Sequence, residues 1–400
     1  MKKVLSIFAR IVAAILLILI LAVGITGVSP IYDFRPPKAF SGPDIFNPYR
    51  DLDSTKSWKR SLFHTHTRVK GPFPPNECPT WPKETYDSLK AYGYEIVTFS
   101  NHNEITVHPF DSTLQVNVYE HGYSPFKFHK LVFGADRVKH FDPLLPLLGS
   151  QKQFELDYLG RGSDFIQMNH PYRTIGTCRE HMEELSGYEI MELDTGISTE
   201  NEYWDWALSA GHYSFGLAND DLHHPERTWC VAVRCNFLNT ASGRYEDIKQ
   251  TLLSGDYYAM RVPDYGAGDW KEKHRGNSNL PYVKDIGLDG ETIYMSLSEA
   301  ADSIRVTGQD HRTLSVSRDC DSIRYTMAPD DPYARLTAYF PQGEVIYSNP
   351  FARYDSTLAD SPMDNSPQKI NVLFTVLYNL LVLLICGGAL WALVKLFKRR

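Results

Sequence analysis

The sequence predicts an α/β protein with a small antiparallel β module towards its end and an apolar helix at each terminus. Two stretches without a charged residue, 11–28 and 370–394, lie near the two ends of the chain. Between them, short β-rich segments alternate with helix-like segments, a pattern typical of a parallel α/β fold. After residue 281, segments with alternating apolar residues are separated by turns, which indicates antiparallel strands.

The composition excludes several classes of protein. The chain has 400 residues, of which 13% are aromatic and 22% are charged. These fractions exclude a disordered or coiled-coil protein. The net charge of −7 gives no reason to expect a nucleic-acid partner.

Both apolar stretches are long enough to cross a bilayer, which takes about 20 residues of helix. We predict a membrane anchor at 1–28 and a transmembrane helix at 369–396. A cleaved signal peptide is the alternative for the first stretch, but no A-x-A pattern follows it. Basic residues stand on the outer flank of both stretches: Lys2, Lys3 and Arg10 at one end, and Lys395, Lys398, Arg399 and Arg400 at the other. The positive-inside rule then places both termini in the cytoplasm and the domain between them on the far side of the cell membrane.

The remaining chain divides by its texture. We predict a Pro-rich linker at 29–57, an α/β domain at 58–280, a β module at 281–354 and a polar tether at 355–368. Within the α/β domain, strands are expected at 60–63, 94–99, 130–133, 164–168, 188–193 and 213–217, with helices at 82–92, 178–185 and 201–210. The six cysteines permit disulfides outside the cell but do not require them.

Histidines and acids stand beside most of these predicted strands. In chain order they are His64 and His66, His102, Glu120 with His129, His170, and Asp221 with His223. On a strand, positions i and i+2 point to the same side, so His64 and His66 could bind one metal ion. Each residue taken singly is typical of a solvated loop. The joint pattern, in which most strands carry such a residue, predicts a metal site.

The ordered motifs resemble the PHP (polymerase and histidinol phosphatase) family over about 58–222. They are F-H-T-H, G-Y-E-I-V-T-F-S-N-H-N, V-Y-E with H-K-L-V-F-G, M-N-H-P and D-L-H. The resemblance implies a distorted (β/α)7 barrel with two or three metals at the carboxyl ends of its strands, and many members are phosphoesterases. The segment 347–351 also resembles the β appendage of a branch that includes amide- and carbamate-hydrolysing members.

Carried over by motif, the resemblance implies three groups of metal ligands. His64, His66, Glu120 and Asp221 hold the first metal; Glu120 bridges to a second that His129 and His170 also hold; His102 and His223 serve a third. Two departures leave the third metal open. No histidine follows His66 in T-R-V-K-G-P-F-P-P-N-E-C, and Asn101 stands where an acid is usual. His108 and His224 could fill the vacant position, and a two-metal site assisted by His102 and His223 is the alternative.

Such a site is suited to hydrolysis by a metal-bound hydroxide. Asp221 is the candidate to ligate metal and accept the proton of the attacking water. Arg173 is the candidate for binding a substrate oxyanion, with Arg68 and Lys70 as further cations. The ligand set suits Zn, Mn or Fe.

We therefore expect a membrane-tethered metal-dependent hydrolase, first of all a phosphoesterase, acting on a phosphorylated small-molecule or cell-envelope substrate. An amide, carbamate or ester hydrolase using the same site is one alternative. A non-catalytic, metal-containing surface binding domain is the other.

Overall fold

The computed structural model describes residues 2–70, 77–195 and 201–398. In this part of the chain the helices are α1 Lys2–Gly27, α2 Pro82–Ala91, α3 Gly149–Gly160, α4 Arg179–Glu184, α5 Asn201–Ser209, α6 Tyr245–Ser254, α7 Trp270–Asn277 and α8 Val372–Lys398. The first strands are β1 Tyr32–Asp33, β2 Asp44–Phe46, β3 Lys59–Leu62, β4 Ile96–Val97, β5 Val118–His121, β6 Lys130–Phe133, β7 Phe165–Met168, β8 Ile190–Thr195 and β9 Phe215–Asn219. The others are β10 Arg234–Leu238, β11 Tyr257–Arg261, β12 Val283–Asp289, β13 Thr292–Gly308, β14 Arg312–Thr326, β15 Tyr333–Tyr339, β16 Val345–Tyr347, β17 Phe351–Tyr354 and β18 Lys369–Ile370.

The mixed α/β class is confirmed, but the strands are not all parallel. One five-stranded sheet has the order β5-β6-β7-β8-β9. Strand β6 is antiparallel to both β5 and β7, whereas β7, β8 and β9 are parallel. The physical reason is the connection between β5 and β6, residues 122–129, which is shorter than the dozen or more residues that a parallel crossover requires.

The closed (β/α)7 barrel is not shown, because no sheet closes within the described residues. The main path of the larger, eleven-stranded sheet runs from β12 to β4 through β13, β15, β16, β11, β10 and β3. The other three strands join it at the side: β14 pairs with β13, and β17 pairs with β15 and β2. Two isolated parallel bridges, Thr65 with Leu222 and His102 with Glu120, link this sheet to the five-stranded one. Both bridges contain or adjoin candidate ligands, so the two sheets meet at the site.

The predicted apolar helices are present as α1 and α8. Their spans Val4–Gly27 and Val372–Lys398 are strongly apolar and mostly unburied, so by length and composition both could cross a membrane. The two helices pack against each other. Gly24 of α1 allows a close approach, since a Cβ there would collide with Sγ of Cys386 on α8. Arg399 and Arg400, which entered the prediction of orientation, lie outside the described residues.

A polar layer joins the two helices to the domain. Strands β1 and β18, which adjoin them, form a two-stranded antiparallel ribbon. The amide of Asn379 donates to the carbonyl of Ser29 (3.0 Å), and the backbone N–H of Ile31 donates to the hydroxyl of Thr375 (2.8 Å). Because the terminal backbone groups of a helix need hydrogen-bond partners, these contacts fix where the chain leaves the two helices for the domain.

The segment 29–57, predicted as a linker, packs onto the domain. It contributes β1 and β2, and β2 pairs with β17. Phe46 and Tyr49 are each 3% exposed and belong to the two hydrophobic cores. The first core combines the buried apolar residues of the five-stranded sheet with some from the larger sheet, and the second core takes its strand residues from the larger sheet. The domain boundaries as a whole stay a prediction.

Candidate metal centre

The predicted ligands lie at the ends of six strands that surround one pocket. His64 and His66 follow β3, His102 follows β4, Glu120 lies within β5, His129 precedes β6, His170 follows β7, and Asp221 and His223 follow β9. Two of these ligands have a positive φ, +25° at His170 and +47° at Asp221. A proline favours an extended backbone at the residue before it, but His170, which precedes Pro171, has φ of +25° and ψ of +60° and is not extended. The His170 N–H donates instead to a carboxylate oxygen of Glu192 at 3.0 Å.

The first group of donor atoms comes from His64, His66, Glu120 and Asp221, all buried and within 4.8 Å of one another. Nε2 of His64 lies 3.2 Å from Oε1 of Glu120 and 3.1 Å from Oδ1 of Asp221. Nε2 of His66 lies 3.2 Å from Oε2 of Glu120 and 3.3 Å from Nε2 of His64. Two imidazole nitrogens that face each other and two carboxylates whose side chains are at most 6% exposed form a donor set that fits a divalent metal.

Glu120 is the centre of the arrangement. Its Oε1 lies 3.1 Å from Nδ1 of His129 and 3.3 Å from Nε2 of His170, and its Oε2 lies 3.1 Å from Nε2 of His102. His102, Glu120 and His129 form a second group that could hold a metal ion. A carboxylate that faces imidazoles on both of its oxygens can bridge two ions, which is the role that the motif resemblance implies for Glu120.

A third group contains a residue that sequence reasoning missed. His66, His102 and His223 are joined by Glu77, whose Oε2 lies 3.2 Å from Nε2 of His102 and 3.0 Å from Nε2 of His223. Glu77 stands 11 residues after His66, in the segment where a histidine is missing. Residues 71–76 of that segment lie outside the described residues. The only sequence signal for Glu77 was the presence of an acid in the loop after His66. A carboxylate can replace an imidazole as a metal ligand.

The other candidates for the vacant position lie elsewhere. Nδ1 of His108 accepts the backbone N–H of Asp111 at 3.1 Å, and its ring packs against Tyr86. His224 pairs with Glu226 at 2.9 Å, at the edge of the pocket. Asn101 has a structural role, since its Oδ1 accepts the backbone N–H of Thr67 at 2.7 Å.

Buried partners orient the ligands. Glu192 on β8 is fully buried, and its Oε1 lies 2.9 Å from Nδ1 of His64. The amide of Asn169 donates to Oε1 of Glu120 at 2.9 Å. A carboxylate on the second ring nitrogen fixes the tautomer and direction of a metal-ligating histidine. Glu192 was also missed, because an acid inside a buried strand has no distinct local pattern.

The electrostatics keep the carboxylates ionised. Burial alone would raise the pKa of Glu120, but the histidines around it hold that pKa well below its ordinary value. The pKa of Asp221 is low for the same reason. Burial lowers the pKa of His129 to about 4, so this histidine is neutral at pH 7. Burial opposes the charged form of His64, His102 and His223, but the carboxylates that face them raise their pKa, to about 9 for His223. Since the neutral imidazole is the form that binds metal, binding at these histidines would release protons.

The pocket over these groups has a volume of about 400 Å³ and carries two cations, Lys127 and Arg173. Nη1 of Arg173 lies 2.5 Å from Oδ2 of Asp221. Arg68 and Lys70 are not among the residues that line it, and the guanidinium of Arg68 lies over the ring of Trp81. Of the predicted cations, only Arg173 therefore faces the candidate ligands.

Comparison with known proteins gives one structural likeness. No family model matches the chain, and no curated protein matches it significantly. One solved structure is similar, described as a two-domain protein containing a predicted PHP-like metal-dependent phosphoesterase from Bacteroides vulgatus ATCC 8482. It is 14% identical, with a TM-score of 0.38, over 79% of this chain and 99% of the other. Similarity this low leaves the functional case to the side chains of the site.

Fold and site together define a mixed α/β protein with His/carboxylate clusters that could hold divalent metal ions and two helices that could cross a membrane.

Proposed function

We propose that this protein is a metal-dependent phosphoesterase of the PHP type, held at a membrane by α1 and α8. The observation that carries the proposal is the convergence on Glu120 of histidines from separate strands, with Asp221 completing the first group. Burying so many ionisable groups costs free energy unless a bound ion or another charge compensates it. The three overlapping groups of donors fit a site of two or three ions.

Bound divalent ions would supply Lewis acidity and lower the pKa of a coordinated water towards neutrality. The side chains of the chain itself have separate tasks. Glu120, oriented by Asn169, presents Oε1 to His129 and Oε2 to His102. Glu192 holds His64 in one orientation through its Nδ1. These contacts keep the donors in place before substrate arrives, which lowers the cost of reorganisation.

Arg173 and Asp221 define where the substrate lies. Arg173 uses one of its N–H donors on Oδ2 of Asp221 and is only partly buried, with 21% of its side chain exposed. Its remaining donors are available to an oxyanion, which arginine binds in bidentate fashion. A phosphate bound by Arg173 would therefore lie beside Asp221, the candidate to take the proton of the attacking water. Lys127 adds a second positive charge to the pocket, which favours an anionic substrate.

Metal content and activity test the proposal together. Full-length protein purified in detergent without chelator is expected to contain two or three equivalents of Zn, Mn or Fe by elemental analysis. It should release phosphate or alcohol from a panel of phosphomonoesters and phosphodiesters. His64→Ala should lower activity at least about 100-fold, because even a residue that only orients a ligand contributes about 10–100-fold. His140→Ala is the control, since His140 is exposed and outside the three groups.

Three results would reject the phosphoesterase. If the protein hydrolysed only carbamates, amides or carboxylic esters, the metal site would stand but the bond that it cleaves would not be a phosphate ester. A protein with less than one metal ion per chain, or an unchanged activity of His64→Ala, would remove the site itself.

The membrane arrangement that we propose has both termini in the cytoplasm and the domain outside it. Its support is the pairing of two helices long enough to span, with basic residues at their outer ends. Cys178 is exposed on the domain, so a membrane-impermeant maleimide should label it on intact spheroplasts. Cys178→Ser should lose that label. Labelling only after lysis would contradict the arrangement.

A further inference from the structure

An apolar loop stands at the start of α3. Residues 143–148 have the sequence P-L-L-P-L-L. Leu147 is 53% exposed and Leu148 is 43% exposed. Adjacent exposed leucines on a tight loop are unfavourable in water and typical of a surface that contacts something apolar.

The loop lies against the two spanning helices. The backbone N–H of Leu144 donates to the hydroxyl of Thr26 in the last turn of α1, at 3.1 Å. The amide of Gln151 donates to the carbonyl of Gly27 and to the hydroxyl of Tyr378 on α8, each at 3.2 Å. The domain is therefore attached to the outer ends of both helices beside this loop.

The leucines of the loop share an apolar groove of about 600 Å³ with both helices. The groove extends along α1 to Leu16. Leu16 stands 11 residues before Gly27, which is about 16 Å of helix. Leu145, Leu147 and Leu148 thus line the same apolar surface as the two candidate membrane-spanning helices, beside the end of α1 that joins the domain.

The same loop is connected to the candidate metal pocket. The hydroxyl of Ser124 donates to the carbonyl of Leu144 at 3.0 Å. The carbonyl of Ser124 in turn accepts the backbone N–H of Lys127 at 3.0 Å, and Lys127 lines the pocket. Two hydrogen bonds thus separate the apolar loop from a cation of the site.

A second connection runs through the turn after β7. The backbone N–H of Ile175 donates to the carbonyl of Phe126 at 2.9 Å, in the same connection that carries Ser124 and Lys127. Ile175 is 57% exposed, and Arg173, two residues earlier, is the other cation of the pocket. The two cations, Lys127 and Arg173, therefore belong to two segments that contact each other, and the segment of Lys127 also contacts the apolar loop.

We infer that the substrate is a phosphate ester of a membrane lipid, whose hydrocarbon part stays in the bilayer while its phosphate enters the metal pocket. This inference rests on the proposed function and adds the substrate class. The loop 143–148 sits in the outer leaflet and holds the pocket at the height of the lipid head groups. Lys127 and Arg173 receive the phosphate from that side.

The test compares lipids with their own head groups. Full-length protein is reconstituted in phosphatidylcholine bilayer discs and assayed, at equal bulk concentration, on two pairs of substrates. The first pair is dioleoyl phosphatidic acid and glycerol 3-phosphate. The second pair is dioleoyl phosphatidylglycerol and glycerophosphoglycerol. In whichever ester class is hydrolysed, kcat/KM for the lipid should exceed that for its soluble partner at least tenfold. Equal or lower efficiency on the lipid overturns the inference.

The double variant Leu147→Ser/Leu148→Ser examines the loop itself. It should keep the activity on the soluble partner within twofold and lower activity on the lipid at least tenfold. The matched control is Val316→Ser/Tyr282→Ser, at residues 41% and 48% exposed that line neither the groove nor the metal pocket. This control should leave both activities unchanged. A loop variant that lowers both activities equally or neither, or a control that lowers lipid turnover as much, overturns the inference.

If neither pair is hydrolysed, binding decides the substrate class, and the phosphoesterase itself is judged on the panel of phosphomonoesters and phosphodiesters. The protein is loaded with Mn²⁺ in the same discs, and its electron paramagnetic resonance spectrum is titrated with phosphatidic acid or with inorganic phosphate. Phosphatidic acid should change the spectrum at a concentration at least tenfold lower than phosphate does. The absence of that preference overturns the lipid inference.

Discussion

Replacing Glu77 by Gln tests whether the third group of donor atoms binds a metal ion of its own. Glu77 is the only acid in that group, and its Oε2 faces His102 and His223. Glutamine keeps the size of the side chain but removes the charge and most of the affinity for metal. The groups around Glu120 and Asp221 keep all their atoms.

The expected magnitude follows from the position of Glu77 among the donors. Removing a residue that only orients a ligand lowers metal affinity about 10–100-fold, so removing a direct ligand should lower it at least ~100-fold, which is ~2.7 kcal/mol. After dialysis against a metal buffer, elemental analysis should find one equivalent fewer in Glu77→Gln than in the wild type. Glu77→His should regain it, because imidazole is also a ligand.

Glu226→Gln is the matched control. Glu226 pairs with His224 beside the pocket but belongs to none of the three groups, so this variant should keep all its metal. The reasoning is refuted if Glu77→Gln retains every equivalent, or if it loses all of them together.

Three further predictions concern orientation, stability and helix packing. Glu192→Gln should lower metal affinity or activity about 10–100-fold, because Glu192 orients one imidazole ligand; an unchanged metal titration would contradict this. Asp205→Ala should lower the free energy of unfolding by about 3–5 kcal/mol, measured by thermal or chemical denaturation, because it leaves the guanidinium of Arg335 buried without its carboxylate. Burial alone would raise the pKa of Asp205, but Arg335 outweighs burial and lowers that pKa. The stabilisation by the ion pair is therefore complete above the unfolded pKa of about 3.9 and is lost as the pH falls through the lower folded pKa. The difference in free energy of unfolding between wild type and Asp205→Ala should consequently disappear in acid. Gly24→Leu should destabilise the helix pair by about 1–3 kcal/mol through collision with α8, measured by thermal aggregation in detergent, whereas Gly387→Leu, with open space around it, should not.

Most of the candidate ligands could be identified from local pattern. The H-x-H motif of His64 and His66 follows a short β-rich segment, and its i, i+2 spacing alone directs both imidazoles to one side. Glu120 and His170 are likewise marked by their positions at the ends of apolar segments. The structure brings the donor atoms of His64, His66 and His170 close to Glu120, and the binding of metal by these residues stays a prediction.

Other features had no local signal. The direction of β6 depends on the length of the connection before it, and on which strands it meets. Loop 143–148 was not distinguished by sequence reasoning, since a run of leucines and prolines is equally typical of a buried turn. Its exposure beside α1 and α8 appears only when the chain is folded.

The amino-acid order alone was sufficient for properties that are local in the chain. A helix of eighteen or more uncharged, mostly apolar residues favours a hydrocarbon environment regardless of the rest of the fold. Two histidines at positions i and i+2 of a strand point to the same side of that strand. Packing was needed wherever a residue acquires its role from partners far away in the chain. Glu77 becomes a candidate ligand because its loop returns to His102 and His223, and Glu192 because β8 places it behind His64. The physical reason is range: transfer energies and strand periodicity act over a few residues, whereas coordination requires atoms within a few ångströms regardless of their separation in sequence.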